Sequence, residues 1–197
     1  GSAWSVGPDS LICAIAGGGA GDSTQTLLFS AQFNTPSIRT NEWNGASWTE
    51  GDTLGAYLSY TTGVGTQAAG LAAGGYNPAA PTATNLAYEY TKNFIPPYTT
   101  CVWTKGGALI TGRYDGGGSG IQNAGLVFAG NVAPTRVSCT EEYDGTVYAA
   151  GGAMITARGN MASGGTQNAG IGAGGEPTND GRTEEYNGST WSTGGSM

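Results

Sequence analysis

The sequence predicts an all-β chain of tandem propeller blades, four four-stranded repeats plus one extra N-terminal strand, on three observations. The first is the C-terminal stretch, where residues 183–186 and 189–192 read as two strands joined at Asn187-Gly188. Asn-Gly between β-prone runs is a strong hairpin signal, because both residues tolerate positive φ. The second is that this unit recurs. It returns as Thr140, Glu141, Glu142, Tyr143, Asp144, Gly145 running to Tyr148, and as Thr40, Asn41, Glu42, Trp43, Asn44, Gly45 running to Trp48. A looser copy joins Glu89 and Tyr90 to Trp103. The third is an aromatic-x-x-Gly motif at Trp4, Trp48, Trp103, Tyr148 and Trp191, spaced 44, 55, 45 and 43 residues apart. A period in the forties with several short strands per unit is that of propeller blades.

With the strands of a unit called a to d, the chain opens on a lone d strand within residues 1–10, around Trp4, Ser5, Val6 and Gly7. The repeats then occupy 11–51, 57–106, 113–151 and 158–197, in one repeat domain spanning 1–197. In unit one, strand a is expected at 11–16, before a glycine-rich turn and Thr24-Gln25, and strand b at 27–31. Strands c and d follow around Trp43 and Trp48. Unit two places strand a near Leu58, strand b at 69–73 and an insertion at 91–100 between strands c and d. Units three and four repeat the pattern, with strand b at 124–128 and 169–173. Strand b is small-bodied (Ala169, Gly170, Ile171, Gly172, Ala173), which suits close packing near a narrow axis. No segment reads as a helix.

Composition narrows the function classes. The chain has 37 glycines, no histidine, 11% charged residues and a net charge of −7. No Gly-X-Y period exists, which excludes collagen. Hydrophobic residues recurring in register exclude simple disorder. The acidic balance argues against nucleic acid as partner. No run approaches the ~20 apolar residues of a spanning helix, so membrane insertion is not expected. Cys101 and Cys139 fall in near-equivalent outer-strand regions; a disulfide between them is one reading, and half-buried thiols, with Cys13 a third, the other.

These residues resemble the kelch repeat of β-propellers. The likeness lies in Gly174-Gly175 followed by Tyr186 and Trp191, with Met154, Thr156 and Arg158 leading into strand a. Unit two keeps Gly74-Gly75, Tyr90 and Trp103. Unit one departs with Gln32-Phe33 at the glycine pair, unit three with Ala129-Gly130, and only units three and four carry the arginine (Arg113, Arg158). The resemblance implies a four-stranded blade and a ring, and no single activity.

Four constellations bear on function. Gln25, Gln67, Gln122 and Gln167 recur at the a–b turns, where a circle of amides could hold a sugar or a partner's backbone, or simply cap the turns. Glu42, Glu89, Glu142 and Glu185 precede the strand c aromatic; an acidic ring for a cation is weighed against outward-facing strand carboxylates or pairs with Arg113 and Arg158. Phe94, Ile95 and Tyr98 form an apolar contact patch or a rim loop folded on its own blade. The proline-bearing b–c loops vary most and form the candidate binding face, opposite the glutamines. Catalysis is not expected: without histidine no nucleophile–histidine triad can form, and Glu184 and Glu185 point to opposite faces of one strand. No metal or other cofactor is expected. Low charge and degenerate tandem repeats, like those of surface and phage-tail proteins, lead to a non-catalytic structural or adhesive repeat protein. It would belong to an extracellular or virion-surface assembly, a homo-oligomer or filament polymerising through terminal strands, with Trp4 to Gly7 meeting Trp191 and Ser192. The alternative is a monomeric propeller binding a glycan or protein through its b–c loop face.

Overall fold

The computed structural model describes residues 7–11, 16–29, 38–177 and 181–197. Four four-stranded antiparallel meanders make a four-blade β-propeller arrangement. Blade one is β1 (Gly18–Gly21), β2 (Thr26–Phe29), β3 (Thr40–Trp43) and β4 (Trp48–Glu50). Blade two is β5 (Thr62–Gly65), β6 (Ala69–Ala73), β9 (Ala87–Ile95) and β10 (Tyr98–Lys105), with a hairpin, β7 (Tyr76–Asn77) and β8 (Thr82–Ala83), in its b–c loop. Blade three is β11 (Gly117–Ile121), β12 (Ala124–Phe128), β15 (Thr140–Tyr143) and β16 (Tyr148–Gly151), with the corresponding hairpin β13 (Asn131–Val132) and β14 (Thr135–Arg136). Blade four is β17 (Ala162–Thr166), β18 (Ala169–Ala173), β19 (Thr183–Tyr186) and β20 (Trp191–Thr193).

Strand a is not where the sequence placed it. It is the glycine-rich segment itself, Gly18–Gly21 rather than 11–16, and Thr62–Gly65 rather than the region of Leu58. The inner strands β1, β5, β11 and β17 lie side by side in that order, and at Gly63 and Gly118 the neighbouring strand leaves no room for a side chain. A Cβ on Gly63 would stand 2.4 Å from the carbonyl oxygen of Gly19, and one on Gly118 2.5 Å from a Thr62 methyl. Leu54, Leu58, Leu109 and Met154 are instead buried in the loops that lead into strand a. The expected insertion at 91–100 is also no insertion: β9 and β10 pair without interruption from Tyr88↔Lys105 to Ile95↔Tyr98, an elongated hairpin turned at Pro96-Pro97.

The c–d turns differ in type from the two-residue Asn-Gly turn. Those of blades one, three and four are four-residue loops in which only the glycine, Gly45, Gly145 or Gly188, has positive φ. The residue before it caps the loop: Asn44, Asp144 and Asn187 each accept two backbone N–H groups through Oδ1, the short-range self-capping these side chains favour.

Three apolar cores lie between blades. Leu27, Phe29, Tyr90 and Trp103 fill the first interface, Val64, Leu71, Tyr143 and Tyr148 the second, and Leu126, Phe128, Tyr186 and Trp191 the third. The contact joining neighbouring inner strands is not repeated between β17 and β1. The lone d strand expected at 1–10 falls partly outside the described residues, as do Trp4, Ser5, Val6, Cys13, Gln32 and Phe33. Residues 7–10 are described and form no strand. Cys101 and Cys139 are free thiols, so they are not joined in a disulfide.

Candidate functional site

Just before each strand a, one residue takes a left-handed backbone: Ala16 (φ 61), Tyr60 (φ 55), Asp115 (φ 54) and Asn160 (φ 55). Asn and Asp adopt this conformation readily, a tyrosine far less so. These residues form a backbone ladder across the blades. Tyr60 N–H donates to Ala16 C=O at 2.7 Å, Asp115 N–H to Tyr60 C=O at 3.0 Å, and Asn160 N–H to Asp115 C=O at 3.1 Å. Bridges Ser59↔Tyr76, Tyr114↔Asn131 and Gly159↔Glu176 then tie the lead-in loops of blades two, three and four to the start of their own b–c loops.

The result is a cavity of about 510 Å³ at the b–c loop end of the axis, lined by Ser59, Tyr60, Tyr76, Pro78, Tyr114, Asp115 and Asn160. Tyr114 is flanked by two rings, Tyr60 at 6.1 Å and Tyr76 at 5.5 Å between centroids, neither stacked face to face on it. Asp115 accepts from Asn131 Nδ2 at 3.0 Å. Burial pushes its carboxyl above the usual range, with Glu176 adding to the rise and Asn131 opposing it. Burial likewise raises the Tyr60 phenol, helped by the charge on Asp115. The cavity therefore offers aromatic walls together with a carboxyl, an amide and a hydroxyl, a set that suits a polar ligand with apolar ring faces.

The glutamines do other work. Gln67 Nε2 donates to the carbonyls of Thr26 and Trp43, Gln122 to those of Gly70 and Tyr90, and Gln167 to those of Gly125 and Tyr143. Each amide thus clamps strands b and c of the preceding blade, and its donors are spent on neither a ligand nor its own turn. Gln25 does not belong to the set: pairing of Gly21 with Thr26 and of Gly65 with Gly70 puts Ser23 at the clamp position. Gln167 also borders a cleft of about 240 Å³ between the turns of blades three and four.

The glutamates complete the same interfaces. Glu42 accepts from the Tyr90 hydroxyl, Glu89 from Tyr143, and Glu142 from Tyr186 at 2.6 Å. They are spread over successive blade interfaces and form no acidic ring, and they are not the arginines' partners. Arg113 pairs with Glu141 and Arg158 with Glu184, the adjacent carboxylates on the opposite strand face, and both guanidinium groups are fully buried. Among the described residues no cluster of His, Cys, Asp and Glu could hold a metal ion.

Phe94, Ile95 and Tyr98 are 71%, 64% and 72% exposed at the tip of the long hairpin. The course of β9 takes them to the glutamine end, opposite the cavity, and the tip is not folded onto its blade. Of the predicted assembly residues, Trp191 is buried and donates its indole N–H to Thr140 at 2.9 Å, while Ser192 and Gly7 are exposed. Tyr60, Tyr76, Tyr114 and Asp115 were not singled out from sequence, since they sit at three different repeat positions. One signal was present: in units three and four the ladder residue stands two places after the arginine.

No family model and none of the curated proteins matches the chain. Solved structures do. YjhT superposes with a TM-score of 0.76 at 11% identity, over 98% of this chain and 68% of that one. At that identity the likeness speaks for the fold alone.

Proposed function

We propose that this chain is a non-catalytic adhesive module that binds a neutral glycan in the axial cavity on its b–c loop face. The observation that carries this reading is the convergence of Tyr60, Tyr76 and Tyr114 with Asp115 and Asn160 around one cavity of about 510 Å³. Sugar rings present C–H faces to aromatic walls and hydroxyls to convergent polar groups. The net charge of −7, with Asp115 at the cavity and Glu176 close enough to perturb it, favours an uncharged sugar over an acidic one. The repeat is kelch-like on this reading; the buried lead-in arginines and the left-handed pair Gly174-Gly175, matched by Ala129-Gly130, support it. An extracellular or virion surface is the setting in which such a module would act. A building-block role in an assembly is the second reading, and the uncovered face of blade four favours it.

The test is titration of the protein with maltohexaose, cellohexaose and chitohexaose, followed by calorimetry and ligand-observed NMR. At least one oligosaccharide should bind, and Tyr114→Ala and Asp115→Ala should each weaken it about tenfold or more, with the fold retained by circular dichroism. No binding to any of the three, or binding untouched by both substitutions, overturns the glycan reading.

A further inference from the structure

The three blade interfaces follow one rule, and blade four presents the unfilled half of a fourth. In each interface the later blade supplies the Gln clamp, a strand c tyrosine that donates to the earlier blade's glutamate, and a strand b glycine. That glycine receives the earlier blade's leucine: a Cβ on Gly70, Gly125 or Gly170 would stand 2.7, 3.0 or 2.8 Å from Leu27, Leu71 or Leu126 respectively. Trp103 and Trp191 add an indole N–H donated to Thr40 and Thr140 at 2.9 Å.

On blade four the receiving side of this rule stands in register on an uncovered face. Pairing aligns Gly164, Ile171, Glu185 and Ser192 in one row across the sheet. Ile171, at the leucine position, is 39% exposed, where Leu27, Leu71 and Leu126 are at 0%. Glu185 is exposed and has no tyrosine partner, and among the described residues no glutamine reaches the carbonyls of Gly170 and Tyr186. Met197 makes the backbone bond of its counterparts, N–H to Gly181 C=O at 2.8 Å, as Met154 does to Ser138 and Leu109 to Asn85.

The geometry points to this face as a docking surface for a further blade of the internal pattern, one with glutamine in its a–b turn, glycine early in strand b and tyrosine in strand c. Blade one of a second copy is not that occupant. It carries Ser23 at the glutamine position, Trp43 at the tyrosine position and Thr26 at the glycine position, so a threonine side chain would fill the space that Ile171 must enter. The surface is thus selective between two kinds of blade that share one backbone.

The experiment extends the full chain by a copy of residues 155–197 joined to Met197, which continues the repeat in register and carries Gln, Gly, Tyr and Trp at the required positions. In the extended protein, amides of β18 and β19 should gain hydrogen-exchange protection. Glu185→Ala should lower its Tm by about 2–4 °C while leaving the Tm of the unextended chain unchanged. Sedimentation of the unextended chain should show a monomer across the micromolar range. An added repeat that stays unfolded, or a Glu185→Ala effect equal in both proteins, overturns the proposal. Self-association of the unextended chain that Ile171→Asp abolishes overturns it too, and makes a second copy the occupant.

Discussion

At the scale of single residues, burial of polar groups separates positions that sequence alone treats alike. Arg113 and Arg158 are fully buried, and besides its carboxylate Arg113 donates to the carbonyls of Thr111, Ala129 and Cys139, and Arg158 to those of Gly174 and Arg182. Removing one partner of a buried pair leaves an uncompensated charge and costs about 3–5 kcal/mol. Arg158→Met is therefore expected to lower stability by that amount in urea titrations, and Glu184→Gln, which keeps one acceptor, by less. Tyr148 poses the opposite case. Trp103 and Trp191 find Thr40 and Thr140, but blade two has Ala87 at the threonine position, and the buried Tyr148 hydroxyl has no partner. Removing an unsatisfied buried hydroxyl recovers up to about 1–3 kcal/mol of desolvation, so Tyr148→Phe should be neutral or stabilising. A loss above 1 kcal/mol in the same titration would mean that the hydroxyl is bonded.

At the scale of elements, the a–b turns show what a repeat pattern reveals and what it hides. The sequence makes their recurrence plain, and with it the strands b, c and d and their order. It does not show that a glutamine reaches across to the preceding blade, because the acceptors are backbone carbonyls, which every sequence has. Nor did it place strand a, since a run such as Gly18–Gly21 has no hydrophobic alternation and becomes a strand only through its neighbours. The cavity escaped for a related reason: Tyr76 opens a b–c loop while Tyr60 and Tyr114 end lead-in loops, so their meeting depends on three connections at once. Register gives the turns a testable distinction. Gln122→Leu should cost about 1–3 kcal/mol, leaving the carbonyls of Gly70 and Tyr90 without its amide. Gln25→Leu should cost under about 0.5 kcal/mol, as an ordinary surface change does. Equal losses would show that Gln25 is a clamp after all.

For the whole molecule, cohesion depends on interfaces that each carry a buried tyrosine hydrogen-bonded to a glutamate of the preceding blade. Burial, reinforced by the facing carboxylate, pushes the phenols of Tyr143 and Tyr186 up to about 12, from about 10 in an unfolded chain. Burial likewise raises Tyr90, to which Glu42 adds. Glu42 itself stays below its usual range: burial works to raise it, and Lys92, Tyr90 and Cys101 together outweigh that. The sign follows from linkage. Between pH 10 and 12 the unfolded state loses these protons while the folded state still holds them, so stability falls as pH rises. The contribution is complete below about pH 10 and is lost as pH climbs through 12. Thermal melts from pH 8 to 12 should therefore stay level and then drop above pH 10. Tyr143→Phe should be less stable at pH 8 but show a shallower decline, since one of the titrating contacts is already gone. A decline of unchanged steepness in that variant would place the alkaline sensitivity outside the blade interfaces.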